Sequence, residues 1–240
     1  MNPIRRTVRA ALYAAASALL VAASGQAAAV IDNAALSNEA DGRDWAAYGR
    51  TFSEQRFSPL DQINRSTVSR LKLAWTLDLD DVWNVSTAPV EVDGVIYFAA
   101  GYSVVHAVDV RSGKLLWKYD PKVDGKKMRM AWGSRGITYW NGKLYTGVQD
   151  GRLFALDAKT GALVWETLTT TPGDNRYITG APRVFNGKVV IGNGGAEYGA
   201  RGYVTAYDAE TGKQDWRFYT VPGNPAEGFE TKELEMAAKT

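Results

Sequence analysis

"AVDVRSGKLLW", residues 107–117, is the stretch that decides the fold, because the chain carries it three times. The second copy is ALDAKTGALVW at 155–165, and the third is AYDAETGKQDW at 206–216. The copies align without gaps and keep an Asp, a Gly and a Trp in fixed positions, with Trp-to-Trp intervals of 48 and 51 residues. A period of this length with strand-like content is typical of a propeller or another array of small sheets.

Each copy contains the residues of a tight turn between two strands. Its aspartate can accept backbone N–H groups where the turn opens. Its glycine, four residues later, can adopt a positive φ at little cost. The aspartates are Asp109, Asp157 and Asp208, and the glycines are Gly113, Gly161 and Gly212.

Two further strands are predicted before each turn. An Asp-Gly or Asn-Gly pair, typical of a two-residue hairpin, lies between β-rich runs at 93–94, 141–142 and 186–187. With the run that enters this pair, each repeat holds four short strands, the content of a propeller blade. We therefore predict an all-β fold, a β-propeller of four-stranded blades, with about three blades in residues 86–219 and one more in residues 45–79.

A closed propeller contains about four to eight blades, and an open array leaves strand edges unpaired. The segment 227–240 shows no pattern of a closing strand. We therefore expect residues 30–240 to be the N-terminal part of a longer propeller domain.

The first 29 residues have the composition of a secretory signal peptide. Three arginines precede an uncharged Ala/Leu/Val run at 10–23, and three alanines at 27–29 suit a signal peptidase. The run is shorter than the roughly 20 residues of a membrane-spanning helix, so a membrane anchor is the less favoured alternative. We expect cleavage near Ala29, export to the periplasm, and no integral membrane segment.

Charge and cysteine content exclude some functions. Without the three arginines of the signal segment the net charge changes from +2 to −1, so no basic surface for nucleic acid is expected. The chain has no cysteine, which excludes a disulfide and a covalent c-type haem within these residues. His106 is the only histidine and lies within a predicted strand, so we interpret it as a packed residue and not a catalytic one.

The third repeat differs from the other two by an insertion. Fifteen residues separate the hairpin glycine from the turn aspartate in the first two repeats, but 21 separate Gly187 from Asp208. The extra residues fall within NGGAEYGARG at 193–202. The adjacent Gly194 and Gly195 allow a close approach to the backbone, and Glu197 adds a carboxylate that could form part of a Ca²⁺ shell. A mobile glycine-rich loop with a solvated glutamate is the alternative, which loop chemistry alone favours.

A second group of residues occupies equivalent positions in the three repeats. Because blades are arranged around one axis, we expect such positions to converge at one mouth of the ring. Arg135 is the only charged residue among them. Its guanidinium could pair with a planar, oxygen-rich anion, or it could satisfy carbonyl groups at the end of a blade. The positions are Ser86, Ser134 and Thr179, each followed by Thr87, Arg135 and Gly180 respectively.

Long motifs in the chain resemble a known family. DWAAYGRTFSEQRFSPLDQIN at 44–64 and ITGAPRVFNGKVVIGNGGAEYGARGYVTAYDAETGK at 178–213 are similar to the N-terminal portion of the quinoprotein alcohol dehydrogenases. The resemblance implies a periplasmic, eight-bladed propeller that uses pyrroloquinoline quinone (PQQ) and Ca²⁺. It extends from about Asp44 to the end of the chain.

The resemblance also implies roles for individual residues. Glu197 corresponds to the family's calcium-ligating glutamate. The repeat tryptophans correspond to those that dock between blades. The residues implied at the quinone are Gly194, Gly195 and Ala196 in the loop against it, Thr179 at its carboxylate, Arg135 beside Thr179, and Ser86 at a position where the family commonly has a glutamate.

Two departures from the family pattern concern the quinone pocket. Arg129 and Met130 lie in the stretch where many members have adjacent cysteines, and Ser86 changes a polar contact. The family's general base and its other calcium ligands come from later blades. The resemblance therefore implies a general base beyond Thr240, and no catalytic residue is assigned within residues 1–240.

The function implied by the resemblance is oxidation of an alcohol, with electrons passing to the quinone and then to a cytochrome c or a fused haem domain. One alternative is a non-enzymatic propeller of the outer-membrane assembly type, which needs the repeat but not the insertion with Glu197, nor Arg135. Another is a related sugar quinoprotein dehydrogenase.

Overall fold

The computed structural model describes residues 30–79, 85–130, 133–171, 173 and 175–239. The predicted signal peptide lies outside these residues, and so does Thr240, beyond which the general base is expected. Twelve strands form three four-stranded antiparallel sheets, each a meander in sequence order. The strands of the first sheet are β1 Val90–Val92, β2 Val95–Ala99, β3 Val105–Asp109 and β4 Leu115–Tyr119; of the second, β5 Thr138–Trp140, β6 Lys143–Gly147, β7 Arg152–Asp157 and β8 Leu163–Leu168; of the third, β9 Arg183–Phe185, β10 Lys188–Gly192, β11 Tyr203–Asp208 and β12 Gln214–Tyr219.

The predicted turns are present in all three sheets. In the first, Asp93 and Gly94 both have positive φ, at 51° and 77°, as expected of a tight hairpin between right-handed strands. Asp109 accepts from Ser112 N at 2.7 Å, and Gly113 adopts a φ of 69°. The other two sheets repeat both turns. The blade prediction is confirmed.

Each repeat tryptophan joins its own sheet to the turn of the next. The ring of Trp165 lies over Gly212, where a Cβ atom would approach the ring to 2.5 Å. Its indole N–H donates to the carbonyl of Ala209 at 2.9 Å, and that carbonyl also accepts from Tyr145 Oη at 3.1 Å. Trp117 makes the same contacts with Gly161 and Ala158, which extends the pattern to the preceding sheet.

Residues 45–79 were predicted to hold a fourth blade. The described residues of this segment form no β-strand. Trp75 still docks over Gly113 and donates to Val110 O at 2.8 Å, as a repeat tryptophan would. The segment before it pairs instead with the sheets already formed. Trp45 bridges Glu91, and Ala46 O accepts from Tyr139 N. The backbone groups of Trp45 and Ala46 therefore hydrogen-bond to the other sheets and do not form a sheet within their own segment.

Two short helices, α1 Asn33–Ser37 and α2 Lys232–Ala237, lie before and after the sheets. The core runs through all three sheets and consists of aliphatic side chains, including alanines, and aromatic rings. Along β3, β7 and β11 most consecutive residues are buried. His106 is buried and stacks on Phe98 at 5.1 Å, which confirms the prediction of a packed histidine. Trp216, the last repeat tryptophan, stays 46% exposed.

Two glycines of the third sheet allow the tryptophan contact to be tested. Gly187 and Gly212 share a φ of 68°, but only at Gly212 would a Cβ atom meet a ring. Gly187→Ala should lower the free energy of unfolding by about 1–2 kcal/mol, because the backbone is left-handed. Gly212→Ala should lower it by about a further 1–3 kcal/mol, because the methyl group overpacks against Trp165.

Urea unfolding of the complete protein, followed by tryptophan fluorescence, measures both losses. Equal losses for the two variants would contradict the docking contact.

Candidate functional site

The segments that enter the first strand of each sheet lie side by side. Ala88 N donates to Arg135 O at 3.0 Å, and Arg135 N donates to Thr179 O at 2.8 Å. Ala88 also forms a parallel bridge with Gly136. These bonds join the three segments to one another, so the predicted convergence is present at Arg135 and Thr179.

Arg135 and Thr179 are in direct contact. Nη2 of Arg135 donates to Thr179 Oγ1 at 3.1 Å. Thr179 is buried and Arg135 is exposed. Within the described residues the guanidinium has no carbonyl partner, so the structure does not support the alternative in which it caps the end of a blade. Among those residues, its one side-chain hydrogen bond is the one to Thr179.

The inserted loop is a hydrogen-bonded turn and not an irregular glycine run. Residues 196–198 form a single 3₁₀ turn between Gly195, with a φ of 115°, and Gly199, with a φ of 74°. Gly195 O accepts from Tyr198 N at 2.9 Å and from Ala200 N at 2.9 Å. The sheet continues on both sides without a shift, since Gly192 pairs with Val204.

The two adjacent glycines of the loop are required by the chain's own atoms. A Cβ atom on Gly194 would lie 2.6 Å from the ring of Tyr177, and one on Gly195 would lie 2.7 Å from Asn175 O. The close approach expected from the sequence is therefore present, and the approaching groups are protein groups. Ala196, on the other side of the turn, is exposed.

Tyr177 links the loop to the arginine. Its backbone bridges Gly194, and its hydroxyl donates to Oε1 of Glu197. Thr179 follows two residues later and contacts Arg135. The short segment 177–179 thus places the guanidinium, a hydroxyl and a carboxylate at one end of the sheets.

The hydrogen bond between Tyr177 and Glu197 moves both pKa values. Donation by the phenol stabilises the charged carboxylate and lowers the pKa of Glu197 from its ordinary value of 4.5. Burial, and then the same hydrogen bond, raises the pKa of Tyr177 to about 12. At neutral pH the pair is a phenol and a carboxylate.

Tyr177 was not among the residues predicted from the sequence. Its role depends on a cross-loop bridge that spacing does not reveal. A signal was available, because a tyrosine two residues before Thr179 points to the same side of an extended segment.

Other predicted residues stand apart from this group. Ser86 is exposed, and no contact joins it to Arg135, Thr179 or Glu197 in the part of the chain that the structure describes. Thr87, next to it, has a buried Oγ1 without a hydrogen-bond partner among those residues. The stretch at 129–130 is held by Gln149, whose Oε1 accepts from both backbone N–H groups at 2.9 Å.

The general base predicted to lie beyond Thr240 stays a prediction. Thr240 is the last residue of the chain and lies outside the described residues, so the structure places no group at or after this position. The described residues of the site are interpreted as binding groups only.

The metal-ligand content of the site is limited. Among the described residues, no three His, Cys, Asp or Glu side chains are grouped so as to bind a metal ion. Within the loop 193–202 Glu197 is the one acidic residue, and Glu230, which also reaches the loop, is paired with Arg201 at 2.6 Å. The arrangement can hold an anion through Arg135 and hydroxyl groups, and can offer one carboxylate to a cation beside it.

Replacing Tyr177 should reverse the shift in the pKa of Glu197. In Tyr177→Phe the main cause of the lowering is removed, so this pKa should rise toward 4.5. In the unchanged protein the folded pKa is lowered, so the hydrogen bond contributes above the unfolded pKa and is lost as pH falls through the lowered value. Carboxyl ¹³C NMR of glutamate-labelled protein measures the titration.

Tyr198→Phe is the matched control, because Tyr198 lies in the same turn and Tyr177 is the side chain that donates to Glu197. An unchanged Glu197 pKa in Tyr177→Phe would show that the phenol does not set it.

Comparison with known proteins assigns this chain to a family. The family model described as "Glucose/ethanol/alcohol dehydrogenase, beta-propeller domain", a PQQ family, matches residues 45–240.

None of the helices in the described residues has the length and apolar character needed to cross a membrane.

Individual relatives agree with this match. Quinohemoprotein alcohol dehydrogenase ADH IIB of Pseudomonas putida is 54% identical over 89% of this chain and 31% of its own length. The crystal structure of quinohemoprotein alcohol dehydrogenase from Comamonas testosteroni superimposes with a TM-score of 0.83 at 48% identity, over 88% of this chain and 32% of that one. The 1-butanol dehydrogenase (cytochrome c) of Thauera butanivorans is 48% identical over 84% of this chain and 30% of its own length.

The chain spans about a third of the length of these relatives. Its three sheets, its turns and its inserted loop all fall within the matched range. The chain belongs to the family of PQQ-dependent glucose/ethanol/alcohol dehydrogenase β-propeller domains.

Proposed function

We propose that this chain is part of a periplasmic, PQQ- and Ca²⁺-dependent alcohol dehydrogenase, and that it supplies one wall of the cofactor site. Residues 1–29 would direct export, and residues 30–240 would form part of the propeller. The observation that carries the proposal is the grouping of Arg135, Thr179 and Glu197 around the segment 177–179.

The donor groups fit a planar anion such as PQQ, which bears several carboxylates and two quinone oxygens. Arg135 offers a fork of N–H donors, a geometry that matches a carboxylate. Thr179 adds a hydroxyl, which already contacts the guanidinium. Gly194, Gly195 and Ala196 would lie against the ring, and Ser86 would sit at the edge of the pocket.

The carboxylate fits part of a Ca²⁺ shell. Glu197 is ionised at neutral pH, and Oε2 accepts no hydrogen bond from a side chain within the described residues. Ca²⁺ requires about six to eight oxygen ligands, so most of them must come from groups other than this carboxylate. Glu197 would anchor one side of the ion.

PQQ bound with Ca²⁺ supplies the two-electron acceptor for oxidation of the alcohol. The residues of this chain bind and orient it. Arg135 and Thr179 would hold a carboxylate of the ligand. Glu197 would supply one oxygen ligand to the ion, whose positive charge would favour electron transfer to the cofactor. The general base is proposed to come from sequence beyond Thr240, and none is assigned within this chain.

The proposed substrate is a small-molecule alcohol, and the proposed electron acceptor is a cytochrome c or a haem domain of the same enzyme. The names of the relatives support both, since two are quinohemoproteins and a third is named as cytochrome c-linked. The signal-peptide composition of residues 1–29 supports a periplasmic location.

Glu197→Gln tests the metal site. The amide keeps the size of the side chain but removes its charge, so Ca²⁺ binding to the complete protein with PQQ should weaken by at least about 10-fold. Calorimetric titration with Ca²⁺ measures the change. Glu233→Gln, at an exposed position in α2, is the matched control and should bind Ca²⁺ as the unchanged protein does. Equal affinity in both variants would remove Glu197 from the site.

A substrate panel tests the reaction itself. The complete protein, loaded with PQQ and Ca²⁺, should reduce an artificial dye in the presence of at least one primary or secondary alcohol. Aldoses serve as the comparison set, because a sugar dehydrogenase would use them instead. Dye reduction by aldoses alone, or by no compound in either set, would overturn the proposed function.

A further inference from the structure

We propose that Tyr177 is a positioning residue for metal binding: its hydroxyl holds Oε1 of Glu197, so that Oε2 is presented to Ca²⁺. This inference rests on the proposed function of Glu197 as a calcium ligand. It adds a residue outside the metal shell that determines how well that ligand is oriented.

Tyr177 is itself fixed in place. The residue is 4% exposed. Its carbonyl accepts from Gly194 N at 2.9 Å, and its ring lies where a side chain on Gly194 would be. The ring of Tyr198 packs edge-on at 6.4 Å. A buried ring with contacts on both sides gives the hydroxyl a defined position.

Apart from Tyr177, the carboxylate of Glu197 is supported by the backbone N–H groups of Gly195 and Glu197 itself. It is exposed and sits in a three-residue turn between two glycines of positive φ. Within the described residues, Tyr177 is the one side chain that hydrogen-bonds its carboxylate. Without that bond the side chain would sample several rotamers, and a metal ion would have to select one of them.

The hydrogen bond also gives the two carboxylate oxygens of Glu197 different roles. An ionised carboxylate accepts through both oxygens, with about four lone-pair sites in total. Donation from the phenol to Oε1 leaves Oε2 for the cation and favours binding through one oxygen. Hydrogen-bonded partners of this kind orient metal ligands, and their loss commonly weakens metal affinity by about 10- to 100-fold.

The segment 177–179 gives this arrangement a further consequence. Tyr177 sets the carboxylate and Thr179 contacts the guanidinium, so one short extended segment fixes the distance between the cation-binding and anion-binding groups. A cofactor and its ion that contact each other need that distance to be constant.

The test is calorimetric titration of Ca²⁺ into the complete protein loaded with PQQ. Tyr177→Phe should weaken Ca²⁺ binding by about 10- to 100-fold. Tyr198→Phe, in the same turn, should leave the affinity unchanged. Gly194→Ala should act as Tyr177→Phe does, because its methyl group displaces the ring while the hydroxyl is retained. Thermal unfolding of each metal-free variant shows that it is folded.

A double-mutant cycle separates positioning from a general structural effect. If Tyr177 acts through the carboxylate, adding Tyr177→Phe to Glu197→Gln should change the remaining affinity by no more than about twofold. A purely structural role would give a second full loss in the double variant and would overturn the inference.

The same data distinguish failure of the inference from failure of the proposed function. If Glu197→Gln weakens binding but Tyr177→Phe and Gly194→Ala do not, Tyr177 has no positioning role while Glu197 remains a ligand. If Glu197→Gln binds Ca²⁺ normally, the proposed metal site is wrong, and the inference is wrong with it.

Discussion

The contact between a tryptophan ring and the glycine turn of the next sheet is the interaction on which the rest of the structure depends. The contact requires a glycine for two reasons: the backbone is left-handed there, and the ring fills the space that a side chain would occupy. The indole N–H then donates to a carbonyl next to that turn, which sets the direction of approach. Because the same contact recurs between successive sheets, each sheet is placed against the previous one in the same way.

This regular placement explains why the site residues meet. The segments before the first strands occupy equivalent places in successive sheets, and they bond to one another through Ala88, Arg135 and Thr179. The guanidinium and the hydroxyl therefore reach one end of the molecule because the outer tryptophans hold the sheets at constant spacing. The site depends on contacts at the opposite, outer edge of each sheet.

Most of the fold could be predicted from the sequence, because it depends on local chemistry. Asp-Gly and Asn-Gly pairs specify hairpins, and the Asp, Gly and Trp of each repeat specify the second turn. Residues 45–79 were predicted to form a blade and contain no β-strand within the described residues, and at Trp45 and Ala46 the backbone pairs with sheets formed elsewhere in the chain. Pairing of that kind depends on residues distant in sequence, which periodicity does not report.

The candidate site could be predicted only in part for the same reason. Glu197 and Arg135 stand out in the sequence as differences between similar repeats. The hydrogen bond of Tyr177, in contrast, exists only once the loop has folded back on the segment before Thr179.

The inserted loop has a consequence for how such a protein can change. Pairing of Gly192 with Val204 continues the ladder without a shift, so the added residues lie wholly outside the sheet. The third repeat thus carries an additional loop while the pairing of its strands is unchanged. Evolution can therefore change the residues of this loop one at a time while the surrounding sheets stay the same.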